Sequence, residues 1–147
     1  MIVDTHTHLY DEDFSVDFDE VIQRARAAGV CKCIMPAIDI ASYDPMIQTE
    51  SRLAGFAYAT IGLHPTSVKG DWERELDFVK GEFARRDYCA VGEIGLDGYW
   101  SRDFMENHYL AKASGTELQI DTVYVRTTKA PYTATQDDMV SDDWQTA

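Results

Sequence analysis

The 147-residue sequence predicts an α/β fold in which four to five parallel strands alternate with helices, and three observations lead there. Four short apolar runs alternate with stretches whose apolar residues recur at helical spacing, as in successive strand–helix units. Glycine or an Asp-Pro pair marks the joints, at Gly29, Asp44-Pro45 and Gly55, where helices stop or start. The first and fourth runs end near His6, His8 and Glu93, and the C-terminal ends of parallel strands are where α/β proteins carry their sites.

The first strand is expected over residues 2–7, opening on Ile2-Val3. A helix follows, with Asp17 and Glu20 as a capping-box-like start, Val21, Ile22, Ala25 and Ala28 at helical spacing, and Gly29 as its stop. The second strand spans residues 31–38. Its helix begins near Asp44-Pro45, since proline suits a first helical turn, runs through Met46, Ile47 and Leu53, and ends at Gly55. The third strand is residues 56–63. In the third helix Trp72, Leu76, Val79 and Phe83 are spaced by four, three and four, with Asp71 as cap and Gly81 as a weak point. The fourth strand is expected over residues 88–94, and a fourth helix from near Ser101, capped by Ser101 or Asp103. Strands regularly separated by helices give a parallel sheet with right-handed crossovers.

His6 and His8 are two residues apart at the end of a strand, so their imidazoles share a face. Neutral imidazole is the commonest nitrogen ligand for Zn²⁺ and its neighbours. A His-x-His pair is also compatible with structural hydrogen bonding. Glu93 favours the metal, because two histidines and one glutamate make the open three-ligand set of hydrolytic zinc sites, whose free position holds the water to be activated.

Asp4-Thr-His-Thr-His-Leu9, Ile61-Gly-Leu-His-Pro65 and Val91-Gly-Glu-Ile-Gly-Leu-Asp97 together resemble the first three signature blocks of the TatD family, metal-dependent deoxyribonucleases of the amidohydrolase superfamily. The resemblance runs from residue 1 to about residue 107. It implies a TIM-type (β/α) barrel with a divalent ion, Zn, Mg or Mn, at its strand ends, acting on phosphodiester bonds of DNA or a related substrate. It makes His6, His8 and Glu93 the metal ligands and His64 a contact to the substrate phosphate or to a ligand, against the alternative of a hydrogen-bonded turn histidine. Asp4 would orient a histidine ligand or bond backbone; Asp97 would position the loop or Glu93. Tyr99 and Trp100 would stack on a base or cover the rim.

A complete barrel of this type takes roughly 200 to 250 residues, so 147 residues read as an incomplete one: residues 1–107 as its N-terminal portion, then a divergent tail over 108–147. Threonine occurs seven times from His108 to Ala147 against five times before, and the last stretch, Asp137-Asp-Met-Val-Ser-Asp-Asp-Trp144, has little apolar patterning. Only residues 122–127 read as a further strand, from their β-branched and aromatic content. The family pattern expects a metal-binding histidine in a His-Thr/Ser-Arg sequence there. This chain has Arg126 in that place and Thr128 where arginine is expected, and His108 is the only histidine after Glu93. No residue is therefore assigned as catalytic, at most one ion is expected, and little or no nuclease turnover is expected from this chain alone. The alternative function is a truncated or frameshifted, inactive fragment acting as a metal-binding or assembly module.

With 13 basic and 26 acidic residues the net charge is −13, the wrong sign for binding nucleic acid by phosphate neutralisation; a bound cation can supply positive charge locally. Cys31, Cys33 and Cys89 read as buried strand packing rather than thiolate ligands, and their sparse, odd count fits a reducing cytoplasm. No leader is read, since Asp4 follows only two apolar residues, and no run approaches a membrane span. An open barrel edge would leave Ile2, Ile34, Ala59 and Val91 without their opposite wall and favour self-association.

Overall fold

The computed structural model describes residues 1–100, 102–104 and 107. Within them a parallel three-stranded sheet runs in the order β1 (Ile2–Asp4), β2 (Val30–Met35), β3 (Ala57–Ala59). The helices between and after the strands are α1 (Phe18–Ala27), α2 (Ile40–Arg52) and α3 (Trp72–Phe83). Asp4 pairs with Cys33, Cys33 with Ala57 and Met35 with Ala59. The sheet does not close among the described residues, so this is an open portion of a (β/α) barrel.

The core lies between the sheet and the helices. Alternation sends Cys33, Met35, Ala57 and Ala59 to the helix-covered face, where α1 packs on β2, α2 on β3 and α3 on α2. Met35, Met46 and Ile61 are fully buried, and Ile22, Leu76 and Val79 bring the apolar stripes of α1 and α3 into the same cluster. Ala59, expected to lack cover, is only 1 % exposed because α2 closes over β3. Ile34 and Val91 are half-buried. The open side is at β1, where Ile2 is 51 % and Val3 46 % exposed.

Several helix boundaries differ from the expected ones. α2 starts at Ile40, ahead of Asp44-Pro45, because Asp39 makes a capping box: its carboxylate accepts from the Ser42 amide at 2.9 Å while the Asp39 amide donates to Ser42 Oγ at 3.0 Å. Glu75 of α3 takes the Ile40 amide at 2.9 Å, satisfying another first-turn donor. Pro45 then sits in the second turn, where it forgoes the bond to the Ala41 carbonyl. Asp17 and Asp71 occupy the N-cap positions of α1 and α3 without a side-chain cap bond. Their backbones are not extended, as a capping residue's ordinarily is, and Asp17 pairs instead with Arg24 at 3.1 Å. Gly29 and Gly55 stop α1 and α2 at φ +92° and +82°, a region that costs glycine nothing.

The strands are shorter than their apolar runs. β1 leaves the regular ladder after Asp4, though the Thr7 amide still reaches the Ile34 carbonyl at 3.1 Å. The fourth run, expected as a strand over 88–94, reduces to one parallel bridge between Ile61 and Val91. Beyond it the main chain is claimed by other partners: the Gly92 carbonyl accepts from the Ala37 amide at 3.0 Å and from Thr60 Oγ1 at 2.6 Å, and the Glu93 amide donates to the Ala37 carbonyl at 2.9 Å. Cys33 is buried and Cys31 half-buried, but Cys89 is exposed because its segment does not pair as a strand. Where the fourth helix is expected to begin, residues 102–104 are irregular and turn, with Asp103 in the turn; Ser101, the strand over 122–127 and the rest of the tail lie outside the described residues. No described helix is long and apolar enough to cross a membrane.

Candidate metal centre

His6 and His8 follow β1 directly, and Glu93 follows the Ile61–Val91 bridge. The three meet at the C-terminal ends of the strands. His6 Nε2 is 3.2 Å from His8 Nε2 and 3.3 Å from Glu93 Oε2, and one donor atom from each of the three falls within 4.8 Å of the others. Two metal–ligand bonds of ~2.0–2.1 Å at a tetrahedral angle put their donors ~3.3–3.4 Å apart. His6 thus stands from each of the other two at the distance of neighbouring corners of one coordination polyhedron, and the three residues could hold a single divalent ion.

The hydrogen-bond network assigns the proton on His8. Tyr10 Oη lies 2.5 Å from the Pro36 carbonyl, which can only accept, so the single phenolic proton is committed there. His8 Nδ1, 2.6 Å from the same oxygen, must then donate to it. That leaves Nε2 with a bare lone pair facing His6 and Glu93. Burial, and secondarily the charge of His6, hold His8 below the ordinary histidine pKa, which favours the neutral ring a ligand must be. Burial also raises the Tyr10 phenol, helped by Asp39 and Asp11, so it keeps its proton.

Glu93 is divided between two partners. Its Oε2 faces His6 and its Oε1 is 3.4 Å from His64 Nε2. His64 Nδ1 accepts from the Thr66 amide at 3.1 Å, which puts the ring's proton on Nε2, pointing at Glu93. His64 therefore steadies the carboxylate rather than adding a fourth donor. A turn of 3₁₀ helix, Pro65–Ser67, with His64 as its N-cap, fixes the ring's position. Asp4 accepts from the His6 amide at 3.1 Å, holding its main chain and not its ring. Asp97 takes the Tyr99 amide at 2.7 Å and so shapes the loop after Glu93. The cysteines contribute no candidate metal cluster among the described residues.

Glycine is required where the Glu93 segment passes over β3's end. A Cβ on Gly62 would stand 2.7 Å from the Gly92 carbonyl carbon and 2.9 Å from the carbonyl oxygens of Gly92 and Glu93. The Gly92–Glu93 peptide is cis. Tyr10, Thr60 and Thr66 were not among the residues singled out from sequence. The one usable signal was the His8-x-Tyr10 spacing, which continues the face of His6 and His8 for two more residues.

The family model described as TatD related DNase matches residues 3–111. The chain is 33 % identical over 102 residues to the uncharacterized metal-dependent hydrolase YabD of Bacillus subtilis, covering 69 % of this chain and 40 % of that protein. It is 30 % identical over 108 residues to the deoxyribonuclease TATDN3 of Homo sapiens, covering 65 % and 38 %. Among solved structures, the crystal structure of YJJV, a TatD homolog from Escherichia coli, matches with a TM-score of 0.70 at 30 % identity, over 80 % of this chain and 46 % of that one. The chain thus spans about two fifths of the length of these curated relatives.

Proposed function

The chain belongs to the TatD related DNase family, and from that premise we propose that it is a metal-dependent hydrolase of phosphodiester bonds, with DNA as substrate class and one divalent ion between His6, His8 and Glu93. The carrying observation is the spacing of those three donors at 3.2 and 3.3 Å. Two imidazoles in the set favour Zn²⁺ over Mg²⁺. When bound, such an ion would polarise a phosphoryl oxygen and lower the pKa of water. The chain's own residues do the rest. His8 presents Nε2 because Tyr10 and the Pro36 carbonyl hold its proton on Nδ1, and His64 keeps Glu93 turned toward His6 while its N–H lies where a phosphate oxygen could share it. Among the described residues this is the one cluster able to hold an ion, so one ion is proposed and not two.

The test is calorimetric titration of Zn²⁺ into wild type, His6→Ala and Tyr10→Phe. Loss of a hydrogen-bonding partner behind a ligand costs about 10- to 100-fold in metal affinity. Tyr10→Phe should fall in that range, and His6→Ala, which removes a ligand, should lose more. Equal affinity in all three proteins would sink the assignment.

Self-association is a second proposal, favoured by the exposure of Ile2 and Val3 at β1. Among the described residues β1 is paired on one side only, and an exposed apolar edge strand recruits other chains. Light scattering after size exclusion should give a mass above 16.6 kDa, reduced toward it by Val3→Lys. A wild-type chain that elutes as a monodisperse monomer would exclude this edge as an interface.

A further inference from the structure

We propose that Asp39 is a positioning residue of the metal centre: it clamps the turn that carries His64 onto the end of β2, and through His64 it sets where the Glu93 carboxylate stands. The proposal rests on the metal-centre reading for what the clamp serves. Its basis is the way one short segment gathers the site. Just past β2, successive residues each hold a different part of it. The Pro36 carbonyl takes the Tyr10 hydroxyl that stands behind His8. Ala37 exchanges main-chain hydrogen bonds with Gly92 and Glu93. The Ile38 carbonyl accepts from the His64 amide at 2.8 Å, and Asp39 Oδ2 accepts from Ser67 Oγ at 3.0 Å.

Of these links only the last is made by a side chain of the segment; the others use its main chain. Asp39 is therefore where the identity of a residue decides the arrangement. Its two oxygens serve two elements: Oδ1 caps α2 through the Ser42 amide at 2.9 Å, which leaves Oδ2 for Ser67. A cap needs one acceptor, and serine supplies it as well as aspartate does, so the second oxygen is what the clamp requires. Ser67 closes the 3₁₀ turn that His64 opens, its amide donating to the His64 carbonyl at 2.9 Å. The turn is thus held at both ends, His64 by Ile38 and Ser67 by Asp39. Held at one end it could pivot about that bond. Because His64 Nε2 stands 3.4 Å from Glu93 Oε1, a pivot would carry away the proton that steadies the carboxylate. The clamp is referred to packed helices and not to a free loop, since the Ile40 amide beside Asp39 is taken by Glu75 of α3 at 2.9 Å.

The experiment breaks the clamp from its two ends in the full chain. Ser67→Ala removes the donor and leaves the Asp39 charge and cap in place; Asp39→Ser keeps a cap for α2 but has no second oxygen for Ser67. In calorimetric titration with Zn²⁺ each should bind about tenfold more weakly than wild type, the lower end of what loss of an outer hydrogen-bonding partner costs. Ser67→Thr, which keeps a hydroxyl, should bind within a few-fold of wild type. The double variant should be no weaker than the weaker single one, because both remove the same bond. In the metal-free chain, hydrogen exchange at the His64 amide should quicken about tenfold in Ser67→Ala, as for loss of a hydrogen bond to a charged group. The Cys33 amide, held by the Phe56 carbonyl at 2.8 Å, should exchange as in wild type. A wild-type chain that binds no Zn²⁺ would count against the metal assignment, and the exchange measurement, which needs no ion, then decides the clamp alone. Zn²⁺ affinity unchanged in both single variants, losses that add in the double variant, or His64 exchange that is unchanged or quickens only together with that of Cys33 overturns the proposal.

Discussion

Glu93→Ala should abolish tight Zn²⁺ binding, lowering affinity by more than the roughly 100-fold that loss of an outer hydrogen-bonding partner can cost. Glu93 supplies the only carboxylate in the donor set. Without it two neutral imidazoles remain, which leaves the charge of a divalent ion uncompensated at the point where it must shed water. Glu93→Gln separates geometry from charge. The amide oxygen can still accept from His64 Nε2 at its 3.4 Å station, but the negative charge is gone, and affinity should stay close to that of the alanine variant. The side chain is only half-buried and sits in no apolar cluster, so both variants should melt near wild type. Calorimetry and thermal melts on the three proteins decide the matter. Affinity within a few-fold of wild type in Glu93→Ala would remove Glu93 from the site.

The second large effect is structural. Gly62→Ala places a methyl group 2.7 Å from one main-chain carbon and 2.9 Å from two carbonyl oxygens, and none of these can swing aside as the end of a side chain could. Overpacking by a methylene ordinarily costs 1–3 kcal/mol; with backbone as the obstacle the expected loss is about 3 kcal/mol or more, read from the midpoint of urea unfolding at unchanged slope. The displaced segment is the one anchored by the Ala37 pair and by Thr60. Zn²⁺ affinity should therefore fall too, in a residue that touches no ligand atom. A variant that unfolds at the wild-type urea concentration would mean that the segment relaxes freely, and that the tight approach of Gly62 to Gly92 is not what holds Glu93 in place.

The sequence was most legible where one local rule decided the outcome. Period-two spacing put His6 and His8 on one face, and glycine after an apolar stripe stopped α1 and α2. It was least legible where two local rules competed. At the start of α2 a proline in a first turn and an Asp-x-x-Ser capping box both offered a boundary, and the box prevailed because it satisfies two amides while the proline forgoes one bond. The run from Tyr88 to Glu93 has strand composition, yet its main-chain groups are taken by Ala37 and Thr60, residues more than thirty positions away. Tyr10 was legible only in its spacing from His8: its other partner is a carbonyl at position 36, and a carbonyl leaves no mark on sequence.

That carbonyl has a further consequence for how the chain can change. Of the two links that hold the proton on His8, one is a side chain and the other is main chain. Any residue at position 36 that keeps β2 ending where it does supplies the same oxygen, so the relay offers mutation a single point of failure, Tyr10. Drift at position 36 is silent there, whereas at position 10 even the loss of one oxygen atom is felt at the ligand.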